Sequence, residues 1–190
     1  MKRLDRASTV LSVALLGAAV GMAMLMTPPR VDAVLRLDIT HNAEPIQNLD
    51  QARAVRDQRT VWIDRLDLAE GGQFRHRQLG QLGPGEQFFV DLELRLRNPE
   101  SRLIHFEVES DDGFALEFNG ERLCAFTAQR GLSAQRCPVL LSEGEHSLRL
   151  SYFQAGGPAG LRVRHGPSEE GPWVFLGEPA IWLEVIPAQR

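Results

Sequence analysis

Apolar residues recur at every second position through most of this chain, and that period leaves little room for anything but β-strands. Phe88, Val90, Leu92, Leu94 and Leu96 alternate with Asp91, Glu93, Arg95 and Arg97. The same rhythm runs through Leu35, Leu37 and Ile39, through Ile104, Phe106 and Val108, and through Phe114, Leu116 and Phe118. It returns at Leu148, Leu150 and Tyr152, at Leu161 and Val163, and at Ile181, Leu183 and Val185. Successive side chains of an extended strand point to opposite faces, so each run buries one face and wets the other. Many such runs predict an all-β fold, an antiparallel sandwich or barrel-like domain. Asn119-Gly120, set between two short runs, predicts a tight hairpin. Gly83-Pro84-Gly85, Asn98-Pro99, Ser142-Glu143-Gly144 and Gly156-Gly157-Pro158 supply further turns. A single helical turn is predicted from Asn48, as cap, towards Arg56, with Gln51 at the capping-box position. Trp182 alternates with Ile181 and Leu183, so it is predicted to face the other side and cover a second layer.

The N-terminus is of another kind. Lys2, Arg3 and Arg6 precede an uncharged stretch, Ala7 to Pro29, rich in Ala, Val, Leu and Met. It reads as a signal peptide or as a single membrane anchor. The stretch exceeds the roughly 7–15 residues of a signal-peptide core. It approaches the roughly 20 residues that cross a bilayer. Val31-Asp32-Ala33 resembles a small-x-small cleavage site. Residues 1–33 thus form the signal peptide or anchor and residues 34–190 the exported domain. That domain is expected at the periplasmic face of the inner membrane, or in the periplasm or medium if the segment is cleaved. Gly17 and Gly21 form a GxxxG that would let two membrane helices approach, although small-residue content alone also produces it. Cys124 and Cys137, the chain's 2 cysteines, fall in the exported part, where such a pair is expected as a disulfide. A loop of that size stabilises by roughly 3 kcal/mol in the chain-entropy model. With 190 residues, 43% hydrophobic and 24% charged, the chain suits one globular domain. Its net charge of -4 and scattered arginines argue against a nucleic-acid partner.

At Phe106 to Gly120 the sequence reads Phe-Glu-Val-Glu-Ser-Asp-Asp-Gly-Phe-Ala-Leu-Glu-Phe-Asn-Gly. This resembles the central motif of the PA14 domain family: a strand ending in Ser-Asp-Asp-Gly, an alternating strand, and a turn closed by glycine. Phe74 to Gly80, Glu143 to Tyr152 and Gly157 to Val163 resemble outer parts of the pattern. The resemblance implies a β-sandwich or barrel-like domain used at cell surfaces, often for carbohydrate. In fungal adhesins of the family paired aspartates hold a calcium ion that binds sugar hydroxyls, and Asp111 and Asp112 stand at the matching positions. Calcium prefers several oxygen ligands. The remaining donors would come from loops, with Gln154 to Gly160 as candidate backbone, a stretch that departs from the family in having few acids. The alternative is that the pair shapes a turn, Asp side chains binding nearby amides and Gly113 supplying a positive φ. Trp173, within Gly171-Pro172-Trp173, is the loop aromatic best suited to stack on a sugar ring. The expected ligand-binding set is Asp111, Asp112, Gly113 and Trp173, with Asp111 and Asp112 as calcium ligands.

Catalysis is not expected. Glu107, Glu109 and Glu117 fall on solvent-facing strand positions, no GxSxG is present, and His41, His76, His105, His146 and His165 lack metal-motif spacing. The reading is therefore a non-catalytic cell-envelope module that binds glycan. The alternative is a protein-interaction or scaffolding subunit of a membrane-associated envelope complex, with an envelope protein as partner.

Overall fold

A computed structural model describes residues 31–188 and the pair Leu15–Leu16. The anchor, cleavage and GxxxG expectations fall on residues 1–33, almost all of them outside the described residues. The chain divides into Met1–Arg30 and Val31–Arg190, and the second unit is the β domain.

Its strands are β1 (Leu35–Asn42), β2 (Val55–Ile63), β3 (Asp67–Leu68), β4 (Arg75–His76), β5 (Gly80–Gln81), β6 (Phe88–Asn98) and β7 (Arg102–Asp111), followed by β8 (Phe114–Phe118), β9 (Glu121–Phe126), β10 (Ser133–Leu141), β11 (Gly144–Gln154), β12 (Gly160–Gly166), β13 (Val174–Phe175) and β14 (Glu184–Ile186). Seven strands form one sheet in the order β2-β1-β6-β11-β8-β9, with β14 beside β6. Five form a second, in the order β10-β7-β12-β13, with β3 on β12, and β4 and β5 make a small ribbon. Every pairing in the two sheets is antiparallel.

The predicted alternation sets the core. Register between β6 and β11 places Val90 opposite Tyr152, Leu92 opposite Leu150 and Leu94 opposite Leu148. These residues and Leu35, Leu37, Ile39, Phe114 and Leu116 meet Ile104, Phe106, Val108, Leu161 and Val163 of the other sheet in one buried cluster. The hairpin at Asn119-Gly120 forms as expected, with φ of 50° and 83°. Cys124 and Cys137 are bonded, their Cα atoms 6.0 Å apart. Since β9 lies in one sheet and β10 in the other, the disulfide staples the sheets together at their edges.

Two expectations are corrected. No helix forms after Asn48. Asn48 Oδ1 accepts from the Asp50 amide at 3.0 Å, Gln51 Oε1 accepts from the Gln47 amide at 2.7 Å, and from Val55 the chain is already β2. A helix this short is a costly nucleus. Here Ile46 and Leu49 instead bury themselves against Phe89 and Phe153 on the outer face of the larger sheet. Around Trp182 the alternation fails: Trp182 and Leu183 are both buried while Ile181 is 91% exposed. The indole turns inward because its Nε1–H finds an acceptor, His165 Nδ1, at 3.0 Å.

Candidate functional site

The Ser-Asp-Asp-Gly segment ends β7 and turns into β8 at one end of the sandwich. Two loops converge on it, residues 127–132 between β9 and β10, and residues 155–159 between β11 and β12. The Asp111-Asp112 peptide is cis. Asp112 holds both loops: its Oδ1 accepts from the Arg130 amide at 3.0 Å and its Oδ2 from the Ala155 amide at 2.8 Å. Ser110 Oγ donates to the Asp112 carbonyl at 2.7 Å. Arg130 Nη2 donates to Ser110 Oγ at 2.8 Å and to the Ser133 carbonyl at 3.0 Å. The guanidinium lies over the rings of Phe114 and Phe126, 5.4 and 4.6 Å from their centroids, a favourable placement for a cation.

A second thread leads to a cleft. The Tyr152 hydroxyl is bonded to the Asp111 carbonyl and, at 2.8 Å, to Gln154 Oε1. Gln154 Nε2 in turn donates to the carbonyls of Gly156, at 2.9 Å, and Pro158, at 2.8 Å. The 155–159 loop so shaped forms one wall of an open cleft of about 390 Å3 whose other walls are residues 71–74, Gln81 and residues 84–85. The Ala159 amide donates to the Gly72 carbonyl at 2.9 Å, joining the walls at its base.

Electrostatics separate the two aspartates. Burial, and then the neighbouring charge of Asp112, push the Asp111 carboxyl above its usual range, while the Leu132 amide and Arg130 pull it back. Burial also lowers the Arg130 pKa, with Asp111 opposing, but a guanidinium stays charged.

No protein-family model matches the sequence, and a search of curated proteins found no match. Solved structures do match. A PA14 sugar-binding domain from an RTX adhesin aligns with a TM-score of 0.60 at 20% identity, over 77% of this chain and 96% of that one. The PA14 domain of an antifreeze protein aligns with a TM-score of 0.59 at 14% identity, over 79% and 90%. The fold is PA14-like. An anti-sigma factor domain-containing protein from Clostridium clariflavum shares it, with a TM-score of 0.57 at 16% identity over 83% of this chain and 48% of that one.

The PA14-like domain does not gather the predicted set into one place. Asp111, Asp112 and Gly113 are together, all buried. Trp173 precedes β13 and lies beside Gly166, at the far end of β12, whose first residue Gly160 is the partner of Asp111. Six residues of strand put them about 20 Å apart. One face of Trp173 is also covered by Arg136, 5.7 Å from the ring centroid. Gly113 is needed for space rather than for a positive φ: a Cβ there would stand 2.5 Å from the Phe126 carbonyl oxygen and from Phe153 Cε1.

Nor do the residues fit a calcium ion. Calcium takes 6–8 oxygens. Among the described residues no three His, Cys, Asp or Glu side chains gather as a metal site. Both Asp112 oxygens already hold amides, and a fixed guanidinium stands near Asp111. Sequence reasoning missed Arg130, since one arginine in a loop carries no signal until the fold brings it to Ser110.

The glutamates read as a wet face are tied into charge rows. Glu107 is nearly buried between Arg136, at 3.4 Å, and Arg164. Glu109 meets Arg162 at 3.0 Å, and Glu117 lies 3.8 Å from Arg122.

Proposed function

We propose that this PA14-like domain is a non-catalytic carbohydrate-binding module of the cell envelope, held at the membrane by its N-terminal segment. The observation that carries the reading is the loop end of the sandwich. There Asp112 fixes two loops in place, and the 155–159 loop opens onto a preformed cleft edged by Gln73 and Gln81. Amide side chains suit sugar hydroxyls, which both donate and accept. Phe126, 36% exposed, and Leu132, 46% exposed, bracket the 127–132 loop that Asp112 holds and add apolar surface beside the aspartates that suits the C–H faces of a pyranose. The adhesin domain that shares the fold is described as sugar-binding. A catalytic role finds little support, because the strand carboxylates that could serve it are spoken for by arginines.

The test is the full chain, in mild detergent, on glycan arrays and envelope polysaccharides, with calcium and with chelator. Retention on a defined glycan class is expected under both conditions. Replacing Gln73 and Gln81 by Ala is expected to weaken it about tenfold without moving Tm. No retention on any glycan would overturn the reading and favour an envelope-protein partner, which a membrane pull-down would then have to recover.

A further inference from the structure

The edges of the two sheets are not treated alike. β10 carries Pro138 and is tied by Cys137 to β9, the far edge of the larger sheet, and β13 has only two residues. Proline and covalent ties are ways of closing an edge to further pairing. β2, the remaining edge of the larger sheet, has nine residues, Val55–Ile63, with neither Pro nor Gly, and among the described residues pairs only with β1. Residues 55–60 are exposed without alternation, so this edge overhangs the sandwich on both faces. Val55 is 59% exposed.

We infer that β2 pairs antiparallel with β2 of a second copy of this chain about a twofold axis at Gln58, joining two seven-stranded sheets into one. The charges choose the register. Centring on Gln58 sets Asp57 of each copy opposite Arg59 of the other, and Val55 opposite Val61. The neighbouring registers, centred on Asp57 or on Arg59, set that residue opposite its own copy, like charge against like, which destabilises a ladder. The partners are free to engage. The Arg59 side chain makes no hydrogen bond or ion pair among the described residues. The Asp57 side chain, 65% exposed, has only His41 Nδ1, at 3.1 Å, as a neighbour. Directly opposed residues of an antiparallel pair have Cβ atoms about 4.5–5.5 Å apart, within reach of an ion pair and, at Gln58 itself, of a disulfide.

The inference does not depend on the glycan reading, and its test uses the full chain in membranes. With no free cysteine among the described residues, Gln58→Cys is expected to cross-link two copies under mild oxidation. Thr60→Cys, whose counterpart lies about 13 Å away in this register, is expected to cross-link far less. In the Gln58→Cys background Asp57→Arg should lower the yield about tenfold, and adding Arg59→Asp should restore it. Equal or absent cross-linking at the two positions, or a double charge swap no better than the single one, would overturn the inference. Reading the positions against each other separates β2 pairing from any contact made by the N-terminal segment.

Discussion

At Asp112 both carboxylate oxygens accept backbone amides, so removing the carboxylate strands one buried and one half-buried donor in separate loops. Asp112→Ala is expected to cost about 2–4 kcal/mol, read as a lower denaturation midpoint at unchanged slope. Asp111 behaves otherwise. Its pKa is raised first by burial, so the protonated form is the one that the fold favours. That contribution is present below the unfolded pKa and is lost as pH rises through the folded one. At pH 7 Asp111→Asn is therefore expected to leave Tm unchanged or raise it, and a drop as large as that of Asp112→Ala would refute this account. His165 has the opposite sense. Trp182 donates to its Nδ1, its Nε2–H has no partner, and burial lowers its pKa to about 4. Because the unfolded chain then binds the proton more readily, stability falls as pH drops below about 6.5 and levels off near 4, by about 3 kcal/mol in all. Measured in an Asp111→Asn background, to remove the opposing titration, a His165→Gln variant should lose less over that range.

Between elements, β9 and β10 are neighbours in the chain but edges of different sheets, and the Cys124–Cys137 bond is the covalent link across them. It also anchors both ends of the 127–132 loop that reaches Asp112. Replacing both cysteines by Ser is expected to cost about 3 kcal/mol, read by denaturant unfolding. If the loop is held chiefly by this bond, its hydrogen exchange should rise more than that of the 155–159 loop. Gly113 belongs at this scale too. A methyl group there would meet the Phe126 carbonyl and the Phe153 ring, elements on either side of the turn, so Gly113→Ala should destabilise by about 1–3 kcal/mol.

For the whole molecule, the question of a metal reduces to a ligand-linked stability measurement. Anything that binds only the folded state must raise Tm. The donor set around Asp111 and Asp112 predicts the same Tm for the full chain in millimolar calcium and in chelator. A calcium-dependent rise that disappears in Asp111→Ala/Asp112→Ala would show that the two loops rearrange to supply oxygens. The smaller sheet carries the opposed rows Arg136–Glu107–Arg164 and Asp67–Arg162–Glu109 across its strands, so its charges are largely satisfied within the domain.

Much of this was legible in the chain. Period-two alternation determined the long strands β1, β6, β7, β8, β11 and β12, since burying one face of an extended chain leaves a direct mark on composition. Asn119-Gly120 determined a hairpin because few other pairs tolerate positive φ at both positions. Asp111-Asp112-Gly113 marked the end of the sandwich where the loops meet. β2 left no such mark: Val55 to Thr60 faces solvent on both sides, so no pattern was imposed on it, and local turn signals upstream read as a helix. Only the tertiary structure decided that Trp182 turns inward to His165, that Trp173 lies a strand's length from the aspartates, and that the Arg130 guanidinium comes to Ser110 beside them. Each of these depends on which distant segment lies opposite, and spacing along the chain does not encode that.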